Sequence, residues 1–499
     1  MKYAAIYLLC FVTLTSSVSE YPKLMIISFD GFRYDQLDAK LVPNITKWAS
    51  LGAQFTNGVA SQYPSFTAVN HMAIATGLFT ESHGIVSNVF FDKTSAKVFD
   101  YWNDTKTPGV LEASIDTSWF KGEPIWVTNE RSGDGRRSAC LNWPFCETAF
   151  PTKPARASIY RAWTHFRPLE EWRTDVDEII ELFTNTHSPV NFVAWYIGEP
   201  DHVLHTHGFY DGEYEAVMRK LDSLFGYLIE KMKESGLDDK VNIIFTADHG
   251  HTQVDGVDSV LCVEDYVDFT RIHIGLHMIY TFNTKYSDQV YRKLSRAIQE
   301  NGYKIKIFTR ETFHDRYHFT KMSSRIGDII LEPEYGNEIR FDCSAVKEAQ
   351  RHNQKLHIST HGLNPDEPEM RAVLVLRGPD ITKEQKITQV PQNIDLYRLM
   401  CSLLDVIPAP NNGTMQTFNS YLEFTRKQES CFSDSVIIIV PLVGMTALLA
   451  IMAATGCCKK LCTSDRTKSQ QGSHSAEAGE DSKKFIEKGG PLTREEVSP

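Results

Sequence analysis

Residues 241–250, VNIIFTADHG, join a short apolar run to a polar turn, and this unit recurs along the chain. Apolar runs of this length, bounded by turn residues, are typical of strands buried on both faces of a sheet. Amphipathic helical patterns, such as those at Tyr214–Ser235 and Asn393–Leu404, lie between the runs. This alternation predicts an α/β fold with a mostly parallel central sheet and helices on both faces. The other three runs are Lys23–Phe29 (KLMIISF), Val190–Ile197 (VNFVAWYI) and Arg371–Leu376 (RAVLVL).

Three of the four apolar runs are followed by an aspartate, namely Asp30, Asp201 and Asp248. Ligands of such sheets bind beyond the carboxyl ends of the strands, so we expect these carboxylates to converge there. Clustered carboxylates repel one another and therefore call for cations. Together with three imidazoles they suit two zinc-like ions, which can clamp the attacking and leaving oxygens of a phosphoryl group. The imidazoles of this set are those of His205, His249 and His361.

Seven short motifs, in this order, resemble those of the ectonucleotide pyrophosphatase/phosphodiesterase family, a branch of the alkaline phosphatase superfamily. The resemblance runs from about residue 22 to about residue 425 and implies an alkaline-phosphatase-like fold. The chain is similar to the short, membrane-anchored members, since it has no room for the extra domains of the long ones. The motifs are SFDGFR (28–33), TGLFTESHGIVSN (76–88), EPIWVT (123–128), EPDHVLHTHG (199–208), TADHGH (246–251), STHG (359–362) and APNNGT (409–414).

The resemblance implies a catalytic role for residues beyond the strand ends. Thr67, three residues before the pair Asn70-His71, would be the nucleophile. Asn88 would donate a hydrogen bond to the phosphoryl oxyanion, and Tyr196 would stack on a nucleobase. Two zinc ions per chain would be held, one by Asp30, Thr67, Asp248 and His249, the other by Asp201, His205 and His361.

The chemistry of a threonine hydroxyl fits this role. The hydroxyl is a weak nucleophile by itself, and coordination to Zn²⁺ favours its alkoxide. Attack would give a phospho-Thr67 diester intermediate, which water then hydrolyses. Two alternatives stay open: Thr67 as the N-cap of a helix at Ala68–Thr76, which is compatible with catalysis, and Ser65 as a rival nucleophile.

The neighbourhood of Thr67 departs from the family pattern. Residues 63–71 read YPSFTAVNH, with Phe66 where the family has Lys, and with Ala68 and Val69 where it has Phe and Pro. Ala68 removes one of the two aromatic walls that hold the base in nucleotide-cleaving members, where stacking is worth about 1–3 kcal/mol. Leu204 and Phe209 replace a usual Gly and Pro near the second ion. These changes affect substrate choice and leave every inferred ligand in place.

The predicted function is a zinc-dependent ecto-phosphodiesterase that cleaves nucleotide phosphodiester or pyrophosphate bonds and releases nucleoside 5′-monophosphates. The expected partners are extracellular nucleotides or other small phosphodiesters. The net charge of −11 argues against nucleic acid, whose binding proteins are basic. Two alternatives are a phosphodiesterase of choline phosphoesters or lysophospholipids, and a non-catalytic surface adhesion protein on the same fold.

The two ends of the chain predict a single-pass type I protein of the plasma membrane. Residues 1–19 have the charged and apolar regions of a signal peptide. Residues 435–456 are uncharged and long enough to span a membrane, and Lys459 and Lys460 follow them on the cytoplasmic side. Residues 20–430 would then form an extracellular phosphodiesterase domain, and residues 457–499 a disordered cytoplasmic tail.

Cysteines and glycosylation sequons agree with that topology. The tail cysteines Cys457, Cys458 and Cys462 are either palmitoylated or free. Sequons at Asn44, Asn103 and Asn412 predict glycosylation on surface loops. An even number of cysteines outside the cell predicts disulfides, although the pairing is open. These cysteines are Cys140, Cys146, Cys262, Cys343, Cys401 and Cys431.

Overall fold

The computed structural model describes residue 19 and residues 21–101, 116–133, 135–163, 167–319, 324–352 and 358–423. They fall within one compact unit of the chain, Met1–Ser430. The proposed membrane segment, the tail with its cysteines, Cys431, the sequon at Asn103 and all but Ser19 of the signal peptide lie outside the described residues. Within the described ranges, no helix has the length and apolar character needed to cross a bilayer.

The strands and helices alternate along the chain, with short 3₁₀ turns between them. The strands are β1 (Lys23–Phe29), β2 (Ala53–Phe55), β3 (Val89–Asp92), β4 (Lys97–Asp100), β5 (Ser138–Leu141), β6 (Ile159–Arg161), β7 (Phe192–Ile197), β8 (Val241–Thr246), β9 (Thr252–Gln253), β10 (Val260–Cys262), β11 (Ile272–Gly275), β12 (Met278–Thr281), β13 (Ile305–Thr309), β14 (Ile329–Pro333), β15 (Glu338–Arg340), β16 (Ser359–Thr360), β17 (Leu374–Arg377) and β18 (Gln385–Ile387). The helices are α1 (Pro43–Ala49), α2 (Thr67–Thr76), α3 (Thr80–His83), α4 (Ile125–Arg131), α5 (Leu169–Thr184), α6 (Asp201–His207), α7 (Glu213–Glu234), α8 (Thr284–Asn301), α9 (Ser344–Arg351) and α10 (Asp395–Leu404).

The main sheet has the strand order β18-β2-β17-β8-β1-β7-β5-β6. Strands β8, β1, β7, β5 and β6 are parallel, and β18 is parallel to β2. The predicted mostly parallel central sheet is therefore confirmed. Strand β17, which contains most of the apolar run at 371–376, is antiparallel to both neighbours. Strand β17 begins beside the end of β8, where Leu374 pairs with Thr246, and therefore runs back in the opposite direction.

Helices cover both faces of the main sheet, as predicted. On one face, Phe245 of β8 packs edge-on against Phe29 of β1 and against Trp48 of α1 and Phe225 of α7. On the other face, α10 packs against α2, α4 and β1. The alternation along β1 explains this layering, because adjacent strand residues point to opposite faces. The predicted helices at 214–235 and 393–404 correspond to α7 and α10.

A second, smaller core lies around an antiparallel sheet that was not predicted. Its strand order is β11-β12-β14-β13, and α8 packs against β12 and β13. Its buried side chains include Leu261, Ile279, Leu294 and Leu331. The turn between β11 and β12 carries His277, whose ring contacts Phe66 next to the predicted nucleophile. This smaller core therefore supports the loop that precedes α2.

The cysteines form disulfides Cys140–Cys146 and Cys262–Cys343. Cys401 is a buried free thiol on α10, and burial raises its pKa to about 12, so it is unreactive at neutral pH. The predicted disulfides are thus confirmed for these four cysteines, while Cys401 has no disulfide partner among the described residues.

The two described sequons are both exposed, but only one lies in a loop. Asn412 is in the loop after α10, where its Oδ1 accepts a hydrogen bond from Phe79 N at 3.1 Å. Asn44 lies in the first turn of α1, and its Nδ2 donates to Asp222 Oδ2 at 2.8 Å. The expected loop position is wrong for Asn44, because Pro43 starts a helix there.

Candidate active site

The strand ends of β1, β7 and β8 bring the three predicted aspartates together. Asp30 follows β1, Asp248 follows β8, and Asp201 is the first residue of α6 just beyond β7. The backbone links them, since Asp201 N donates to Asp30 O at 3.0 Å and Gly31 N donates to Asp248 Oδ1 at 3.2 Å. Gly31 has a φ of 70°, and a Cβ atom there would lie 2.8 Å from the His251 ring. Only glycine allows this close approach.

Four predicted ligands form a first group around His249. Its Nε2 atom lies 3.0 Å from Asp248 Oδ2, 3.6 Å from Asp30 Oδ1 and 3.4 Å from Thr67 Oγ1. The two carboxylate oxygens are buried and accept no hydrogen bond among the described residues. Buried polar atoms are rarely left unpaired, so these oxygens and the facing imidazole nitrogen have the character of metal ligands.

The other three predicted ligands form a second group with an additional histidine. His205 Nε2 lies 3.4 Å from Asp201 Oδ2 and 3.0 Å from His361 Nε2. His251 Nε2 lies 2.5 Å from Asp201 Oδ1 and was not among the predicted site residues. Potential ligand atoms of Asp201, His205, His251 and His361 lie within 4.8 Å of one another. The signal for His251 was present in the TADHGH motif, but the family roles assign nothing to that position.

Hydrogen bonds outside the two groups fix which nitrogen points inward in two of the imidazoles. His249 Nδ1 donates to Gly250 O at 3.0 Å, and His361 Nδ1 donates to Ser65 O at 2.8 Å. A carbonyl oxygen can only accept, so in the neutral rings both Nε2 atoms carry a lone pair toward the carboxylates. This is the usual support of metal-binding histidines, and the residues present therefore fit divalent ions.

Charge repulsion among the buried carboxylates is visible in their pKa values. Burial, and then repulsion from Asp248 and Asp201, raises the pKa of Asp30 well above its ordinary value. Burial also acts to raise the pKa of Asp201, but His205 and His251 hold it well below the ordinary value. The site is thus an acidic pocket whose negative charge is only partly compensated by imidazoles, as expected of a cation site.

The predicted nucleophile lies at the start of α2. The helix begins at Thr67 itself and Phe66 occupies the N-cap position, so the N-cap alternative for Thr67 is wrong by one residue. The rival Ser65 has its hydroxyl engaged, since its Oγ donates to Leu363 O at 2.8 Å. Thr67 Oγ1, in contrast, faces His249 at the positive end of the helix dipole.

Asn88 and Tyr196 also lie at the site, each with one defined partner. Asn88 Oδ1 accepts from Ala68 N at 2.8 Å, an arrangement that leaves the amide Nδ2 as the available donor. Tyr196 donates a hydrogen bond from its hydroxyl to Asp30 Oδ2 at 2.6 Å, and the residue is only 3% exposed.

Ala68 is fully buried, and Phe66 packs on His277 and His361. The described residues therefore present no open pair of aromatic walls for a base.

Comparisons with known proteins agree with this fold and site. The family model "Type I phosphodiesterase / nucleotide pyrophosphatase" matches residues 24–363. The chain is 31% identical over 409 residues to bis(5'-adenosyl)-triphosphatase enpp4 of Mus musculus, with 80% of this chain and 81% of the relative covered. It is 28% identical over 424 residues to ectonucleotide pyrophosphatase/phosphodiesterase family member 3 of Mus musculus, of which it covers 44%.

Solved structures show the same likeness. Murine ectonucleotide pyrophosphatase/phosphodiesterase 5 superimposes with a TM-score of 0.69 at 28% identity, over 80% of this chain and 100% of the other. An inactive threonine-to-alanine variant of that protein, in complex with AMP, superimposes with a TM-score of 0.69 at 27% identity and the same coverage.

Proposed function

Because the chain belongs to the type I phosphodiesterase/nucleotide pyrophosphatase family, a family of metal-dependent hydrolases, we propose that it cleaves nucleotide phosphodiester and pyrophosphate bonds with two zinc ions and Thr67 as nucleophile. The products would be nucleoside 5′-monophosphates. The observation that carries the proposal is the position of Thr67 Oγ1, 3.4 Å from His249 Nε2 and at the start of α2. The AMP complex of murine ectonucleotide pyrophosphatase/phosphodiesterase 5, whose inactive form has alanine for a threonine, supports both the substrate class and a threonine nucleophile.

The protein's own residues would hold the two ions and fix the orientation of a ligand. Asp30, Asp248 and His249, with Thr67, would hold one ion, and Asp201, His205 and His361 the other. Bound zinc supplies Lewis acidity, which favours the ionised hydroxyl and neutralises phosphoryl charge. Tyr196 fixes the Asp30 carboxylate, so that Oδ1 faces His249.

Asn88 would stabilise the transition state directly. Ala68 N–H holds its Oδ1, so the amide group Nδ2 is the part that can donate to a phosphoryl oxygen. A donor fixed in advance costs no reorganisation when charge develops, which makes such groups effective in catalysis. Thr67 would form a covalent phospho-threonine diester, the first product would leave, and water would release the nucleoside 5′-monophosphate.

The test is release of p-nitrophenol from the p-nitrophenyl ester of TMP by the purified full-length chain. We expect activity that is lost on chelation and restored by zinc. Thr67→Ala should abolish it, while the matched control Thr206→Ala, on the exposed face of α6, should not. Acid quenching followed by mass spectrometry should find a thymidine 5′-monophosphoryl group esterified to Thr67. Full activity of Thr67→Ala, or a folded zinc-loaded wild type without activity, would contradict the proposal.

The substrate class needs a direct comparison, because the nucleobase has no visible stacking site among the described residues. The name of the enpp4 relative, bis(5'-adenosyl)-triphosphatase, makes a dinucleoside triphosphate the first substrate to assay. ATP and glycerophosphocholine at equal concentration are the comparators. A higher kcat/KM for glycerophosphocholine would favour the choline-phosphoester alternative over nucleotide hydrolysis.

We further propose that the chain is a type I membrane protein whose catalytic domain lies outside the cytosol. The two disulfides support an oxidising compartment. Protease protection on intact cells tests this topology: an epitope placed just before Tyr21, ahead of β1, should be digested from outside, and one in the tail should be protected.

A further inference from the structure

His251 lies in the second ligand group without a role in the function proposed above. We propose that it is a fourth protein ligand of the second metal ion, beside Asp201, His205 and His361. The side chain is completely buried, and its Nε2 lies 2.5 Å from Asp201 Oδ1. This inference rests on the proposed two-metal function and adds a ligand to it.

The hydrogen-bond network around His251 is one proton short if the ring is neutral. Three contacts form a chain: His251 Nε2 to Asp201 Oδ1, His251 Nδ1 to Ser359 Oγ at 2.9 Å, and Ser359 Oγ to Leu204 O at 3.0 Å. Each contact needs one proton, whereas a neutral imidazole and a hydroxyl supply only two. The carbonyl of Leu204 can only accept, so the serine proton goes there and the imidazole proton goes to Ser359.

That assignment leaves a lone pair on His251 Nε2 facing a carboxylate oxygen. Two acceptors at such a distance repel each other unless a cation binds both. A metal ion ligated by Nε2 and by Asp201 resolves the conflict without another proton. Ser359 would then be the outer hydrogen-bond partner of His251 Nδ1, a kind of partner that metal-binding histidines usually have.

Two other proposed ligands of the site share this pattern, and one buried histidine beside the site does not. His249 and His361 have the same arrangement as His251, with Nδ1 held by an outer acceptor and Nε2 turned toward carboxylates. His71 has both nitrogens satisfied, since Nδ1 donates to Thr67 O at 2.9 Å and Nε2 accepts from Ser28 Oγ at 3.0 Å. By this criterion His251 belongs with the ligands.

The second ion would then be held by one carboxylate and three imidazoles. The four groups on the first ion include the Thr67 hydroxyl, which is a weak ligand until it ionises, so the second ion should be the more firmly held of the two. Zinc sites closed by four protein ligands are typically structural, whereas catalytic sites keep a position open and can expand to five ligands during reaction. We therefore expect a chelator to remove one ion per chain quickly and the other slowly. His251→Ala should make the slow ion as labile as the fast one.

The first test measures zinc affinity of the metal-free full-length chain by competition with a chromophoric chelator. His251→Ala should weaken one of the two sites by more than about 100-fold, and His205→Ala should do the same, because outer partners such as Ser359 contribute only about 10–100-fold. His202→Ala is the matched control on α6, at a histidine outside the ligand group, and should leave both affinities unchanged. A loss of about 100-fold or less for His251→Ala would overturn the assignment.

The second test needs no variant. The wild-type chain, labelled with ¹⁵N-histidine and loaded with ¹¹³Cd²⁺, should show cadmium coupling at four imidazole nitrogens, those of His205, His249, His251 and His361. Three coupled nitrogens with two bound cadmium ions would overturn the fourth ligand and leave the proposed function intact. A chain that binds no metal at all would instead overturn the proposed function.

Discussion

Glu332, on β14, offers a prediction about stability that is independent of the metal site. Its side chain is 2% exposed, and its Oε2 accepts no hydrogen bond among the described residues. Burial raises the pKa of Glu332 from 4.5 to about 7, although Lys306 and Arg316 act in the opposite direction. The folded state therefore binds the proton more tightly than the unfolded chain does.

The sign and size of the effect follow from this pKa. For a carboxyl whose pKa is raised by folding, the stabilisation is complete below the unfolded pKa and is lost as pH rises through the folded one. At 1.36 kcal/mol per unit, the free energy of unfolding should fall by about 3 kcal/mol between pH 4.5 and pH 7 because of this group. Glu332→Gln, which remains neutral, should remove that loss.

The assay is urea unfolding of the wild type and of Glu332→Gln, followed by fluorescence at about pH 5 and about pH 8. The free energy of unfolding of the variant minus that of the wild type should be about 3 kcal/mol larger at the higher pH than at the lower one. Glu334→Gln is the control, because the Glu334 carboxylate is 40% exposed and pairs with Lys306 at 2.9 Å. A shift of Glu332→Gln no larger than that of the control would refute the reasoning, since it would mean that Glu332 is solvated.

Three further changes test the site and its support. Asn88→Ala should lower kcat by about 100- to 1,000-fold with little change in KM, in assays with the p-nitrophenyl ester of TMP; an equal rise in KM would point to ground-state binding instead. Gly31→Ala should lower zinc content, measured by mass spectrometry, because its Cβ would lie 2.8 Å from the His251 ring; a zinc-loaded variant would show that the turn adapts. Cys343→Ala should lower the free energy of unfolding by about 2–5 kcal/mol, because it breaks a disulfide. Cys401→Ala breaks no disulfide and should lower it by less, and equal losses for the two variants would contradict this.

The candidate site was more predictable than the outer parts of the fold. Asp30 and Asp248 each follow an apolar run, and parallel strands place their carboxyl ends at one edge. The convergence of the predicted ligands therefore follows from strand direction together with the motifs. Thr67 does not follow one of these strands, and only the resemblance to a family connected it with the site.

The remaining features depend on packing that short-range patterns do not contain. The direction of β17 depends on the path of the chain after β16. In the second sheet, strands β11 and β13 are buried too unevenly to give a clear periodicity. The pairing of Cys262 with Cys343 joins residues 81 positions apart. His251 escaped notice because its function depends on which atoms face its two nitrogens, a property of the folded network alone.

The charge of the protein can now be connected to its substrate. The chain has a net charge of −11, and three of its carboxylates are buried together at Asp30, Asp201 and Asp248. Two divalent ions on those carboxylates would leave a local charge of about +1, so the sign reverses only at the site itself. A compact anion such as a nucleotide reaches that point with most of its charge near the ions, whereas a long polyanion also meets the acidic surroundings. Exchange of the bound ions for water would then abolish nucleotide binding as well as catalysis, because both depend on the same local reversal of charge.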